Sequence, residues 1–319
     1  MSTYVVTGAA GFIGSNLVEA LLKQNHTVIG FDNLSTGDKT NLDFVNELPT
    51  KSNFKFIEAD IRNIDQCMDV CKGADYVLHQ AALGSVPRSM EQPALYNDNN
   101  ITGTLNMLIA ARDAKVKRFV FASSSSVYGD TPTLPKIETM IPSPKSPYAI
   151  SKITGEYYCK VFWTAYGLPT ISLRYFNIFG PRQNPNSQYA AVIPKFITAY
   201  LNNQSPTIHG DGEQTRDFTF VQNAVKANLG ACHASPEAFG QAINIGCGDR
   251  ISLNRLSDKI KEITQATATP VYTPSRPGDV KDSLASNELA TTYLQIAPWT
   301  EMAEGLEQTI LWYSSQFVK

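Results

Sequence analysis

Thr3-Tyr4-Val5-Val6-Thr7-Gly8-Ala9-Ala10-Gly11-Phe12-Ile13-Gly14 is the stretch on which the fold turns. Its first five residues are mostly β-branched or aromatic, the chemistry of a short buried strand. Three glycines follow at once. Ser15–Gln24 then carries Leu17, Ala20 and Leu21 at helical spacing, and Thr27–Phe31 is a second apolar run that ends in Asp32. The order is strand, glycine turn, helix, strand, acid. Glycines here allow a tight turn and let backbone N–H groups approach a pyrophosphate at the helix N-terminus. Asp32 comes 18 residues after Gly14, close to the spacing at which a carboxylate meets the adenosine ribose. The pattern predicts a dinucleotide site.

Working outward, the βαβ pattern repeats. Asn53–Ala59 reads as a strand ending in Asp60-Ile61, where Asp60 either accepts from the adenine amino group or caps a helix over Asn63–Cys71. Ala74–Leu78 leads into His79-Gln80-Ala81-Ala82, small residues against which a cofactor can lie. His79 reads as structural. Leu83–Arg88 opens a loop above the strand ends, where ligands bind in such sheets, with Ser85 and Arg88 among its polar residues. Asn97–Arg112 reads as one long helix, with Asn99 and Asn100 facing inward. Val116–Ala122 is the fifth strand, followed by Ser123-Ser124-Ser125-Ser126-Val127-Tyr128-Gly129.

Tyr148 and Lys152 are four residues apart in Ser146-Pro147-Tyr148-Ala149-Ile150-Ser151-Lys152. On a helix they share a face. An ammonium beside a phenol favours phenolate, which can take a proton from a sugar or alcohol hydroxyl. Alone, the spacing is common by chance. Beside a dinucleotide turn and a serine run, it reads as a catalytic base.

At 319 residues the chain calls for two lobes. Its composition, 43% hydrophobic and 18% charged, is that of a soluble globular protein. A net charge of −2 gives no electrostatic footprint for nucleic acid or anionic membrane. No apolar run approaches a membrane span, and the N-terminus lacks the pattern of a secretory signal. The five cysteines are scattered; Cys67 and Cys71 share a helical face without a second ligand pair. No metal site is expected, and free thiols point to a reducing cytoplasm.

The glycine spacing, Gly-x-x-Gly-x-x-Gly, resembles that of the extended short-chain dehydrogenase/reductases. Together with Asp32, His79–Ala82, the serine run before Val127-Tyr128-Gly129, Tyr148…Lys152 and Arg174-Tyr175-Phe176-Asn177, the chain resembles the NAD-dependent nucleotide-sugar epimerase/dehydratase family, and within it bacterial UDP-N-acetylglucosamine 4-epimerases. Gln188–Lys195 and His209–Phe218 add to that likeness. The resemblance implies an α/β fold: a Rossmann-type doubly wound parallel sheet with a smaller α/β substrate-binding lobe. Residues 1–175, with a return segment about 215–247, would form the NAD-binding domain; 176–214 and 248–319 would bind the UDP-sugar.

The resemblance also implies the site. NAD would meet Gly8, Gly11, Phe12, Ile13 and Gly14, then Asp32, Asn33, Ser35, Thr36 and Gly37. Asp60, Ile61, Gln80, Ala81, Ala82, Asn99, Ser123, Tyr148, Lys152 and Tyr175 complete that set. Asp32 favours NAD over NADP, because a carboxylate repels a 2′-phosphate. Tyr148, Lys152 and Ser124 would be catalytic. Ser85, Arg88, Ser125, Ser126, Asn177 (as an amide donor), Ala191, Val192, Lys195, Thr207, His209, Arg216, Arg276, Asp279 and Ser283 would hold the UDP-sugar, with Arg216 and Arg276 on the diphosphate. Related 4,6-dehydratases carry an Asp-Glu pair where Ser125 and Ser126 stand, which weighs against dehydration. Galactose-only epimerases carry a bulky tyrosine at Ser283, and the serine leaves room for an N-acetyl group. The implied protein is a cytoplasmic homodimer that interconverts UDP-N-acetylglucosamine and UDP-N-acetylgalactosamine for surface polysaccharide. UDP-glucose and UDP-uronic acids remain alternative substrates, with Arg88 and Arg182 available to a carboxylate, and a 4,6-dehydratase or a non-catalytic NAD-binding regulator are the remaining alternatives.

Overall fold

The computed structural model describes residues 1–185, 191–275 and 282–317. Seven parallel strands form the main sheet: β1 (Thr3–Thr7), β2 (Thr27–Asp32), β3 (Phe54–Glu58), β4 (Tyr76–His79), β5 (Arg118–Ser124), β6 (Thr170–Tyr175) and, out of sequence, β11 (Ala242–Ile245). Their order across the sheet is β11-β6-β5-β4-β1-β2-β3. The order reverses between β1 and β4, the switch point at which ligands bind in doubly wound sheets. Helices α1 (Phe12–Lys23), α2 (Ile64–Cys71), α3 (Val86–Glu91), α4 (Pro93–Tyr96), α5 (Gly103–Asp113) and α6 (Pro147–Tyr166) belong to the crossovers.

The strands are apolar throughout because both sheet faces are covered. Val5, Val6, Val77, Leu78, Phe119, Val120, Ile171 and Leu173 are all fully buried.

The second lobe is made of smaller pieces. β7 (Ile178–Phe179) pairs with β10 (Thr219–Phe220), β8 (Thr207–His209) with β13 (Val271–Thr273), and β9 (Thr215–Arg216) with β12 (Ile251–Ser252). Helices α7 (Val192–Leu201), α9 (Leu253–Thr264) and α11 (Met302–Phe317) share a core with Phe179, Phe196, Ile208 and Phe220. Helix α8 (Val221–His233) returns to the first lobe and packs on α1, while α10 (Glu288–Leu294) packs on α8.

Several elements differ from the sequence expectation. The expected helix over Asn97–Arg112 begins as a π-helical turn, Asn97–Thr102. The expected strand Thr215–Phe220 is two strands: β9 pairs within the second lobe and β10 with β7, parted by the buried Asp217. Val221, the first residue of α8, still packs in the second lobe's core. Strand β5 runs two residues further than expected, into Ser123 and Ser124. Among the described residues no helix is long and apolar enough to cross a membrane.

Helix α6 carries its limits in its sequence. Ser146 caps it by accepting from Ala149 N (3.1 Å), Pro147 occupies the first turn, and Gly167 ends it in the left-handed conformation at φ 70°. Gly155 lets it sit tight on β5, since a Cβ there would stand 2.3 Å from the Phe121 ring.

Candidate active site

A cavity of about 360 Å³ lies over the C-terminal ends of β1, β2, β4, β5 and β6. The glycine turn forms one wall. Gly14 has to be glycine, because a Cβ there would fall 2.0 Å from Gly8 O. Gly11, Phe12 and Ile13 line the same wall; Asp32, Asn33, Ser35, Thr36 and Gly37 line the next; Ile61, Gln80, Ala81, Ala82, Asn99, Ser123, Tyr148, Lys152 and Tyr175 complete it. The cavity is long, open and walled by small residues at the glycine turn, which fits an extended dinucleotide.

Asp32 is buried, and burial pushes its carboxyl up while backbone N–H groups pull it down. Its Oδ2 accepts from Ala10 N (3.0 Å) and its Oδ1 from Leu34 N (2.8 Å). The floor is a closed triangle of hydrogen bonds. Tyr175 OH donates to Gln80 Oε1 (3.0 Å), Gln80 Nε2 to Asn228 Oδ1 (2.9 Å), and Asn228 Nδ2 to Tyr175 OH (2.7 Å). Asn228 comes from α8, and nothing in its local sequence marks it. Arg182 and Asn184 also line this cavity and were not expected there.

Asp60 needs correcting. It stands outside the cavity, in a shallow recess with Arg62, Asn63 and Asp98. Arg62 grips both its oxygens (3.0 and 2.7 Å), Asn33 Nδ2 donates to Oδ2 (2.9 Å), and Arg62 holds the carboxyl well below its usual range. An adenine amino group would have to compete for oxygens already used. Nor is Asp60 the helix cap, a role filled by Asn63, which accepts from Asp65 N and Gln66 N. His79 is fully buried between Thr7 Oγ1 (2.8 Å) and Thr104 Oγ1 (3.0 Å), and burial lowers it to about 3, so it stays neutral.

Tyr148, Lys152 and Glu156 lie at i, i+4 and i+8 on α6, facing the sheet. Lys152 Nζ donates to Ala122 O (2.7 Å), and burial lowers the ammonium to about 7 against a raising effect of Glu156. It sits 5.8 Å from the Tyr148 ring centre. Burial raises the Tyr148 phenol, the Ser124 hydroxyl opposes that, and Tyr96 adds to it. The Lys152 ammonium, expected to favour the phenolate, is bound to a strand carbonyl, and the group that favours the phenolate directly is the Ser124 hydroxyl. Ser124 Oγ accepts from Ser126 N (3.2 Å), which fixes the serine beside the phenol. Ser125 and Ser126 continue as a short 3-10 turn, and Ser126 Oγ is buried with no partner among the described residues.

A charged pair lies beneath. Arg174 grips Glu156 with two hydrogen bonds (2.9 and 2.7 Å), both side chains being 5% exposed. Ser123 Oγ donates to Glu156 Oε1 (2.5 Å), and Arg174 Nη1 to Tyr128 OH (2.8 Å). Ser123 therefore lines the cavity with its hydroxyl already engaged.

A second cavity, about 250 Å³, lies in the smaller lobe. Asn177, Ala191, Val192, Thr207, His209, Arg216 and the ring of Phe218 line it. His209 Nδ1 is bonded to Thr273 Oγ1 (2.8 Å). Lys195 is half-buried on α7 outside this lining. Asn177, in the left-handed region at φ 38°, joins the lobes: its Nδ2 donates to Asp217 O (2.8 Å) and Ser283 Oγ (3.1 Å). Asn177 thus lines the second cavity, as expected of a substrate-side residue, with its amide donating to these two protein groups. Ser283 Oγ also accepts from Asp217 N (3.2 Å). The buried Asp217 carboxylate accepts from Cys247 N, Gly248 N and Ala285 N (3.0, 3.1 and 3.0 Å), and burial raises it to about 6. Ser85 caps α3 by accepting from Arg88 N (3.2 Å), with Arg88 half-buried on that helix. Arg276 and Asp279 lie outside the described residues.

A parallel sheet with a glycine turn, a buried acid at the end of its second strand and a helix-borne Tyr–Lys pair defines an extended short-chain dehydrogenase/reductase. Its residues 4–246 match the model of the NAD dependent epimerase/dehydratase family, and the chain belongs to that family. It is 42% identical to a solved UDP-N-acetylglucosamine 4-epimerase from Methanobrevibacter ruminantium in complex with UDP-N-acetylmuramic acid, covering 99% of each chain at a TM-score of 0.93. A putative UDP-glucose 4-epimerase of Methanocaldococcus jannaschii is 39% identical over 97% of each chain. A Bacillus cereus UDP-glucuronic acid 4-epimerase, solved with UDP-glucuronic acid and NAD, is 34% identical over 98% of this chain and 99% of that one, with a TM-score of 0.89. The chain is an NAD-dependent enzyme of the nucleotide-sugar 4-epimerase class.

Proposed function

We propose that the enzyme interconverts UDP-N-acetylglucosamine and UDP-N-acetylgalactosamine by inverting the sugar at C4. The observation that carries this reading is Tyr148, with Ser124 beside it, lining the cavity that holds the glycine turn, together with a second cavity lined by Arg216, Thr207 and His209. NAD, when bound, supplies the acceptor for the C4 hydride and later its donor. Tyr148, as phenolate, removes the proton from the 4-hydroxyl, and Ser124 donates a hydrogen bond to the 4-oxygen. The 4-keto sugar turns over while its nucleotide stays held by Arg216, Thr207, His209 and Val192. Tyr148 then returns the proton, and no net oxidation results.

Ser283 supports the N-acetyl reading: it is a small side chain beside Asn177, where the lobes meet. The uronic acid alternative draws on Arg88 or Arg182, and Arg182 is already paired with Glu19 (2.6 Å). Serines in place of an Asp-Glu pair weigh against a dehydratase. Exposed Ile150, Tyr157 and Val161 form a stripe on α6 that suits a homodimer, testable by sedimentation. The five cysteines are all free, as suits a cytoplasmic enzyme that feeds polysaccharide synthesis.

The test is incubation with UDP-N-acetylglucosamine, UDP-glucose and UDP-glucuronic acid separately, following C4 inversion by proton NMR. Inversion of the glucuronate alone would overturn the substrate assignment. Tyr148→Phe is expected to cut turnover by about 10³-fold or more with UDP-sugar affinity nearly intact. Near-normal turnover in that variant removes Tyr148 as the base.

A further inference from the structure

Arg182 sits in the loop after β7, in the second lobe, yet its side chain is committed to the first. Its Nη2 donates to Glu19 Oε2 (2.6 Å) and Asn16 Oδ1 (2.8 Å), both on α1, the helix that follows the glycine turn. Asn16 Nδ2 in turn donates to Pro181 O (3.2 Å). The guanidinium stacks 4.9 Å from the centre of the Phe44 ring, in the 3-10 segment Lys39–Glu47 that follows the ribose-facing loop. On its other side the loop is tied to the second lobe, where Tyr313 OH donates to Gln183 O. Arg182 thus joins three elements around the dinucleotide cavity, whose wall it forms.

The arrangement carries two local costs. Arg182 has φ 70°, a left-handed backbone that a long side chain rarely adopts. Its side chain is only 10% exposed, and Nε is buried with no partner among the described residues. Strain and an unsatisfied donor persist where surrounding contacts overdetermine them, and they cluster at functional sites.

We propose that Arg182 is a cofactor latch: by clasping Asn16 and Glu19 it holds the loop of residues 180–183 against α1 at the edge of the dinucleotide cavity, and so slows the release of NAD. This rests on the dinucleotide site described above. The chemistry gives the latch its purpose. When the hydride removed from a sugar must go back to the same sugar, reduced cofactor lost in mid-cycle strands a ketone.

The test is the release rate of NAD from the purified holoenzyme, chased with excess fluorescent etheno-NAD, together with NAD content per chain after denaturation. Arg182→Gly deletes the guanidinium and relaxes the backbone at once, so loss of retention cannot be put down to added strain. It is expected to release NAD about tenfold faster or more. Glu19→Ala leaves residue 182 untouched, is expected to show the same change, and serves if the glycine variant does not fold. The double variant should release NAD no faster than the faster single. Release from Arg182→Gly and Glu19→Ala at the wild-type rate overturns the latch, and so does a double variant whose effect is the product of the singles. A wild-type protein that neither carries nor takes up NAD would instead overturn the dinucleotide site, and the latch with it.

Discussion

The two cavities are built on different principles. The first is walled by the C-terminal ends of one continuous sheet, and its key positions are backbone: a glycine turn, small residues after β4, a carboxylate held by two backbone N–H groups. The second sits among three separate two-stranded ladders, and side chains reaching across long sequence distances set its shape. Between its lining residues Arg216 and Phe218 lies Asp217, a buried carboxylate that gathers backbone N–H groups from three later positions. A backbone-walled pocket tolerates side-chain change but not added bulk. A pocket shaped by side chains can be retuned one residue at a time.

The largest effect should come from bulk in the first cavity. Gly14→Ala puts a methyl 2.0 Å from Gly8 O, and NAD binding measured by fluorescence titration is expected to fall at least 100-fold. Binding within threefold of wild type would break the contrast. Next comes the pair that ties the catalytic helix to β6. Glu156→Gln leaves Arg174 buried and half-paired, and should cost about 3–5 kcal/mol in urea unfolding. A loss under about 1 kcal/mol would mean that water reaches the pair.

A smaller effect is expected beside Asn177, which lines the second cavity and is bonded to Ser283. Ser283→Tyr should lower kcat/KM for UDP-N-acetylglucosamine relative to UDP-glucose by about 10–100-fold, with NAD affinity unchanged. An unchanged ratio would remove Ser283 as the selector. The smallest effect is a pH dependence in the NAD-free protein. Lys152 titrates near 7 when folded, below its ordinary value. At pH 6 both folded and unfolded states are protonated, so the cost of burying the charge is fully present; it fades as pH rises from about 7 towards the unfolded value. Lys152→Met should therefore gain more stability over wild type at pH 6 than at pH 9. A gap that widens with pH would reverse the sign and show that the ammonium is stabilised where it lies.

What could be read before folding was local. Glycines three apart after a strand, the acid 18 residues on, and Ser146-Pro147 opening a helix that Gly167 closes are signals written within one turn or one crossover. They located β1, α1, β2 and α6, and with them most of the first cavity's wall. Asp60 misled because a carboxylate at a strand end looks the same whether it faces a ligand or an arginine two residues later. For Asn177 the sequence offered an amide donor but not its partners, Asp217 O and Ser283 Oγ, which lie far along the chain.

By itself, the sequence determined the periodic elements, the dinucleotide turn and the Tyr148–Lys152 spacing, since each depends on residues a few positions apart. Only the tertiary structure decided that Asn228 would complete the Gln80–Tyr175 triangle, that Arg174 would anchor Glu156, and that Arg182 would reach back to α1. Those pairings link residues 18 to 163 positions apart along the chain. Spacing along the chain carries no information about them. They form because a buried polar group must find a partner, and packing of the sheet and helices sets which partner is in reach.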